Sequence, residues 1–147
     1  MPRADDALRA NIAIHTAGAD VYRQEPHYRP ENQQRVRLIL EELQRRTQGR
    51  RLLDLGCGMG FILDIAQDLF AEVVGVDVTP AMLARIGRSR GSGILRTCLA
   101  QAEKLPFRDN AFDVCTAHAL LHHLDHVRPV AEEARRILRP GGIFFSA

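Results

Sequence analysis

The chain has 147 residues, 46% hydrophobic and 26% charged, with Gly 11, Pro 7 and Cys 3. That composition describes one folded domain of ordinary size and excludes collagen-like, disulfide-scaffold and disordered chains. Lys+Arg 20 against Asp+Glu 18 leaves a formal charge of +2, too small and too dispersed for a nucleic-acid footprint.

Residues 1 to about 50 read as polar and helical. The start, MPRADDALRA, has acids where a secretory leader needs an apolar run, and no stretch approaches membrane-spanning length. DALRANIAIHTAGAD reads as a helix, and VYRQEPHYRP, with its two prolines, as an irregular arm. Within that arm Tyr22, His27, Tyr28 and Arg29 either cover a substrate or simply pack on the surface. In ENQQRVRLILEELQRRTQG the apolar Val36, Ile39, Leu40 and Leu43 recur at helical spacing, with Pro30 near the start and Gly49 as the stop.

From Arg51 onward short apolar runs alternate with helical patterns, the rhythm of βαβ units. Strands are expected at 51–55, 72–77, 93–98, 111–117 and 142–146, mostly apolar without clean alternation, as in a parallel sheet covered on both faces. Helices are expected at about 61–70, 80–88, 119–124 and 127–138. Cys57, Cys98 and Cys115 are odd in number and widely spaced, which supports neither a disulfide framework nor a structural zinc site and suits a reducing, cytoplasmic setting.

LLDLGCGMG places Gly56, Gly58 and Gly60 between the first strand and the first crossover helix. Missing β-carbons there let backbone amides approach a ligand at a helix N-terminus; a tight turn without a ligand is the competing reading. Asp54 would crowd a dinucleotide pyrophosphate but can receive an ammonium group, so a zwitterionic ligand is expected. Asp77 ends the second strand, EVVGVD, where an acid can accept hydrogen bonds from both hydroxyls of a ribose. Its other reading, a helix-capping carboxylate, competes with Thr79, which fills the cap position before Pro80. Val78 and Met82 either wall an adenine ring or pack in the core.

With these residues in place the chain resembles the class I S-adenosylmethionine-dependent methyltransferases, in their small-molecule group, over roughly residues 51–147. LDLGCGMG, VVGVDVTPAML, AQAEKLPFRDNAFDV, HALLHHLDH and EARRILRPGG follow the order of that family's motifs. The resemblance implies an α/β fold, a doubly wound Rossmann-like parallel sheet of strand order 3-2-1-4-5 with flanking helices. It implies S-adenosyl-L-methionine as cofactor, its methionine end held by Asp54 and the loop Gly56, Cys57, Gly58 and Gly60, its ribose by Asp77 and its adenine by Val78 and Met82. Gln101 stands where the family has an aspartate toward the adenine amino group; its side-chain carbonyl can accept that bond without charge. Ala102 and Glu103 fall beside the ring, Glu103 reading equally as an exposed helix-start acid, and Ala117 falls beside the methionine pocket.

Methyl transfer from a sulfonium is an in-line displacement, so alignment and water exclusion are the protein's main tasks. His118, at the carboxyl end of strand four, is the candidate base for the acceptor; lining the pocket or capping the next helix competes with that role. His118, His122 and His126 would share one face if helical, but His118 belongs to the strand end and only Asp125 adds a nearby carboxylate, so no metal is expected. Arg135, Arg136 and Arg139 read as a solvated helix face.

The family's sheet continues into two further strands, a final antiparallel hairpin, whereas this sequence stops at IFFSA. Strand five is then expected as an apolar edge, implying a truncated chain, a pairing partner or a homodimer at residues 143–145. The expected function is methyl transfer to a small-molecule acceptor. The alternatives are a non-catalytic S-adenosylmethionine-binding domain or partner subunit and, further back, an NAD-dependent oxidoreductase, against which the glycine spacing and Asp54 both count. AHALLHH lacks the NPPY or DPPY motif of base-methylating enzymes, so nucleic-acid substrates are not expected.

Overall fold

Strands β1 (Arg51–Leu55), β2 (Glu72–Asp77), β3 (Ile94–Leu99), β4 (Phe112–Ala117) and β5 (Leu138–Ser146) form one parallel sheet in the order β3-β2-β1-β4-β5. The computed structural model describes residues 4–21, 26–89 and 91–147. The chain winds outward from β1 to β3, then returns to place β4 on the other side of β1. That reversal opens a crevice above the carboxyl ends of β1 and β4, where doubly wound sheets bind their ligands.

Helices α1 (Ala4–Gly18), α2 (Pro30–Thr47), α3 (Phe61–Ala66), α4 (Pro80–Leu83) and α5 (Arg128–Ile137) flank the sheet. Successive strand residues point to opposite faces, so Leu52, Val73 and Val114 join Val36, Leu40 and Leu63 of α2 and α3 in one core. Leu53, Val74 and Cys115 meet Val130, Ala134 and Ile137 of α5 in the other. The spacing of Val36, Leu40 and Leu43 thus became the buried stripe of α2, as its periodicity requires.

The central strands are covered on both faces: all six residues of β4 are buried, as are four of five in β1. Edge strand β3 departs from that expectation, with Ile94 54% and Leu99 58% exposed. The preceding crossover is short: α4 ends at Leu83 rather than continuing to residue 88, so little helix is available to cover this edge. In β5 the strand begins at Leu138, ahead of the expected start, and the register with β4 shifts between Phe112 and Val114 to absorb the turn around Gly141 (φ +82°). Ile143 and Phe145 pack toward the α2 side and Phe144 toward the α5 side, so residues 143–145 are half-buried while pairing with β4 alone.

Asp113 ties the lower end of the sheet to α2. Its Oδ2 accepts the N–H groups of Arg50 (2.6 Å) and Arg51 (2.8 Å), and its Oδ1 pairs with Arg139. Gly49 is needed for that approach, since an added Cβ would lie 2.5 Å from Asp113 Cβ. The left-handed residue that stops α2 is Gln48 (φ 50°), one position before the glycine expected there. Arg139 also donates to the Thr47 carbonyl at 2.8 Å, so the solvated face expected for three arginines describes only Arg135; Arg136, like Arg139, is tied down.

Candidate functional site

Three glycines carry the turn from β1 into α3 with positive φ: Gly56 at 64°, Gly58 at 53° and Gly60 at 93°. Left-handed backbone is costly for any residue with a β-carbon, which is why the sequence spends glycine here. Close approach adds a second reason at Gly56, where an added Cβ would sit 2.7 Å from Leu120 Cδ1. The Cys57 N–H donates to the Val76 carbonyl (2.9 Å) and fastens the loop to β2.

Asp77 organises the same corner. Its Oδ2 accepts the Gly58 N–H at 2.9 Å and its Oδ1 the Thr79 N–H at 2.8 Å. Each carboxylate oxygen has a further lone pair, so the group braces two backbone turns and can still accept hydroxyl hydrogens from a ligand. Asp77 thus bonds the backbone just ahead of α4, whereas the Thr79 side chain makes no capping hydrogen bond to that helix.

The cleft above this corner has a volume of about 80 Å³. Gly56, Gly58, Asp77, Val78, Thr79 and Met82 form one side, and Ala100, Ala102 and Glu103 the next. Ala119, Leu120, His123 and Leu124 face them, and Leu8, Asn11 and His15 of α1 close the mouth. Beside it a narrow recess is lined by Tyr28, Asp54, Gly56, Cys57, Phe61, Ile62 and His118. Tyr28 meets Phe61 edge-on at 5.1 Å, and Phe61 lies 5.1 Å from the His118 ring.

Asp54 is 2% exposed at the floor of the recess and accepts a hydrogen bond from Thr116 Oγ1 at 2.7 Å. Burial pushes its carboxyl up to about 8; the Thr116 bond pulls the other way, and the nearby Asp77 charge adds to the rise. Burial and the Asp54 charge also raise the thiols of Cys57 and Cys115, which makes both inert packing groups and poor nucleophiles.

The sequence-expected residues divide by place. Gly56, Gly58, Asp77, Val78, Met82, Ala102 and Glu103 line the cleft, and Asp54, Cys57 and His118 line the recess. Gly60 sits behind the loop at the start of α3, donating to the Cys57 carbonyl at 2.9 Å. Ala117 is buried in the α5-side core, and its carbonyl accepts the Ala147 N–H. Gln101 is exposed and borders a separate surface depression with Leu99, Lys104 and Pro106, and it is not among the residues that line the cleft. Tyr22 and the side chain of His27 lie outside the described residues.

The helix expected at 119–124 is only a 3-10 turn at Leu121–His123. Ala119 takes φ 53° and its N–H donates to the Ala147 carbonyl at 2.7 Å, a backbone path incompatible with starting an α-helix there. His118, His122 and His126 consequently do not share a helical face. Instead the His123 ring lies 4.0 Å from His122 and 5.3 Å from His15 of α1. Partial burial, with His122 and His15 adding, lowers the His123 pKa. Among the described residues no group of three or more His, Cys, Asp or Glu is arranged to hold a metal ion.

Sequence reasoning did not assign Val76, Thr79, Ala100, Ala119, Leu120, His123, Leu124 or the three α1 residues to the cleft. The paired leucines around HH signalled the first segment to cross the cleft, but α1 carries no local mark of its destination.

Residues 53–146 match a family model described as a methyltransferase domain. The chain is 40% identical over 98 residues to a sterol 4-C-methyltransferase of Caenorhabditis elegans, covering 63% of this chain and 29% of that one. It is 36% identical over 104 residues to a ubiquinone/menaquinone biosynthesis C-methyltransferase of Cupriavidus necator, covering 64% and 41%. The crystal structure of the YcgJ protein of Bacillus subtilis superposes with a TM-score of 0.68 at 30% identity, over 76% of this chain and 48% of that one. The chain thus spans less than half the length of each of these relatives.

Proposed function

The chain belongs to the class I S-adenosylmethionine-dependent methyltransferase family, and from that premise we propose that it transfers a methyl group from S-adenosyl-L-methionine to a small-molecule acceptor. One observation carries the reading: two carboxylates at the carboxyl ends of adjacent strands, Asp54 and Asp77, stand on either side of a glycine loop whose backbone only glycine adopts readily.

The cleft suits that cofactor in its chemistry. Asp77 retains acceptor capacity for ribose hydroxyls, Val78, Met82 and Ala102 offer apolar surface to an adenine with Glu103 at its edge, and buried Asp54 answers an ammonium group. When bound, the cofactor supplies an electrophilic methyl on a sulfonium whose positive charge vanishes on transfer. Asp54 gives up its carboxyl proton when a cation arrives beside it, turning burial from a penalty on its charge into a demand for a partner. Tyr28 and Phe61 shield the recess from water. His118, at the end of β4 within that recess, is the group that takes the acceptor's proton. Helix α1 serves as the arm over the cleft, with Leu8, Asn11 and His15 on its inner surface.

A small-molecule acceptor is supported by the names of the relatives, a sterol and a quinone-pathway carbon methyltransferase. Calorimetric titration with S-adenosylmethionine, S-adenosylhomocysteine and NAD, followed by methyl release from labelled cofactor across a panel of sterols, polyprenylated phenols and simple phenols, tests it. Binding of the two sulfur nucleosides with turnover of a panel member is expected. Binding without turnover would favour a non-catalytic cofactor-binding domain, and binding of NAD alone would overturn the reading.

A further inference from the structure

Residues 100–110, which connect β3 to β4, form no helix or strand of the sheet, yet Ala102 and Glu103 within them wall the cleft. Backbone groups in such a segment need partners from elsewhere. On the incoming side the Ala100 N–H donates to the Asp77 carbonyl at 3.1 Å, and Lys104 N–H closes the turn onto the Gln101 carbonyl at 3.2 Å. On the outgoing side the partners come from two side chains of α5. Glu133 Oε2 accepts the Leu105 N–H at 2.7 Å, and Arg136 Nη2 donates to the Leu105 carbonyl at 3.1 Å.

Arg136 spends its whole guanidinium on this task. Its Nε donates to Glu133 Oε1 (2.7 Å) and Nη2 also to Glu133 Oε2 (2.9 Å), while Nη1 donates to the Phe107 carbonyl (2.7 Å) and to Asp109 Oδ1 (2.9 Å). Counting the Leu105 carbonyl, all five donors of the planar fork are engaged. Such saturation is unusual for a side chain 32% exposed on a helix, where a solvated cation would leave most donors to water.

We propose that Glu133 and Arg136 are positioning residues for the nucleoside end of the cofactor cleft: clamped at Leu105 by this pair and at Ala100 by Asp77, the turn 101–104 holds Ala102 and Glu103 at the height the ligand requires. The proposal rests on the cofactor assignment above. It gives α5 a part in binding although neither of the two side chains lines the cleft. It also couples the nucleoside wall to Asp77, whose carbonyl holds one end of the turn while its carboxylate faces the ligand.

The test compares Arg136→Lys, Glu133→Gln and, as a control, Asp109→Ala, which removes one contact of the five at a residue 72% exposed. S-adenosylhomocysteine affinity is measured by calorimetry on each folded variant, with amide exchange at residues 100–109 and the thermal midpoint recorded alongside. Arg136→Lys keeps the charge but loses the fork, and should raise the Kd about tenfold, with faster exchange at Leu105. The control should stay within about twofold. Lowered thermal midpoints with unchanged Kd in both Arg136→Lys and Glu133→Gln would overturn the proposal and leave the pair a purely structural role. Should Arg136→Lys fail to fold, the milder Glu133→Gln, which keeps an oxygen for the Leu105 N–H, decides the matter by the same readouts. Wild-type protein with no affinity for S-adenosylhomocysteine would overturn the cofactor reading itself, an outcome distinct from wild-type affinity in the variants.

Discussion

Replacing Asp54 by asparagine keeps the shape of the group and removes its ionisation, and it is expected to make the ligand-free protein more stable near pH 8. The folded carboxyl titrates at about 8 against 3.8 for the ordinary group, chiefly because it is buried. Its contribution is fully present below the unfolded pKa and is lost as pH rises toward the folded one, because the unfolded chain releases the proton first. Between about pH 4 and 8 the slope approaches about 1.4 kcal/mol per pH unit, on the order of 5 kcal/mol across the window. The amide oxygen introduced by Asp54→Asn can still accept from Thr116 Oγ1, which lies 2.7 Å from Asp54 Oδ1 in the wild-type protein, so the substitution leaves no orphaned hydroxyl. Urea denaturation of both proteins at half-unit steps from pH 4.5 to 8.5 reads the difference. Coincident stabilities at the acid end should diverge steadily toward pH 8, with Asp54→Asn the more stable. Parallel profiles over the whole range would refute the reasoning, since they would mean that Asp54 is already ionised in the folded protein. The same substitution should weaken S-adenosylhomocysteine binding and abolish the proton release that accompanies it, seen as loss of the dependence of binding heat on buffer ionisation.

Asp77→Asn leaves one oxygen to serve two backbone N–H groups and a ribose, and should raise the Kd for S-adenosylhomocysteine by roughly tenfold to a hundredfold in calorimetry, as expected for losing charged hydrogen bonds. Asp113→Ala strips partners from the Arg50 and Arg51 amides and from Arg139, and should cost about 3 kcal/mol in urea denaturation while ligand affinity per folded molecule stays unchanged. His123, with its pKa lowered by partial burial and by the nearby His122 and His15, should lose stabilising influence as pH falls below 6.5, because the unfolded chain takes up the proton more readily. His123→Gln is therefore expected to flatten the fall of the thermal midpoint between pH 6.5 and 5, and an unchanged fall would count against the contact with α1.

Elements whose character is set by neighbours in sequence were legible from it. β1 and β2 lie where continuous apolar runs required them, and the amphipathic stripe of α2 buries the residues its period selected. Helix lengths were less so: α3 ends at Ala66 and α4 at Leu83, short of their apolar patterns, because contact with the sheet and loops overrides local preference beyond the first turns. The glycine loop and the two strand-end acids could be found because each advertises itself chemically, a missing β-carbon or a carboxylate at the end of an apolar run. Gln101 advertised itself in the same way, yet it lines a neighbouring depression and not the cleft, since where a turn residue faces depends on backbone angles that its identity does not reveal.

The order of hydrophobic runs, glycines and acids by itself determined a parallel α/β sheet with a ligand-binding turn after β1, because strand, turn and cap preferences act over a few residues. Only the tertiary structure decided that α1 closes the cleft, that Asp54 sits in a recess dry enough to hold its proton, and that Arg136 clamps a segment 31 residues away at Leu105. Those properties arise from the surroundings that folding assembles around each group, and burial and hydrogen-bond partners drawn from distant parts of the chain have no signature in the local sequence.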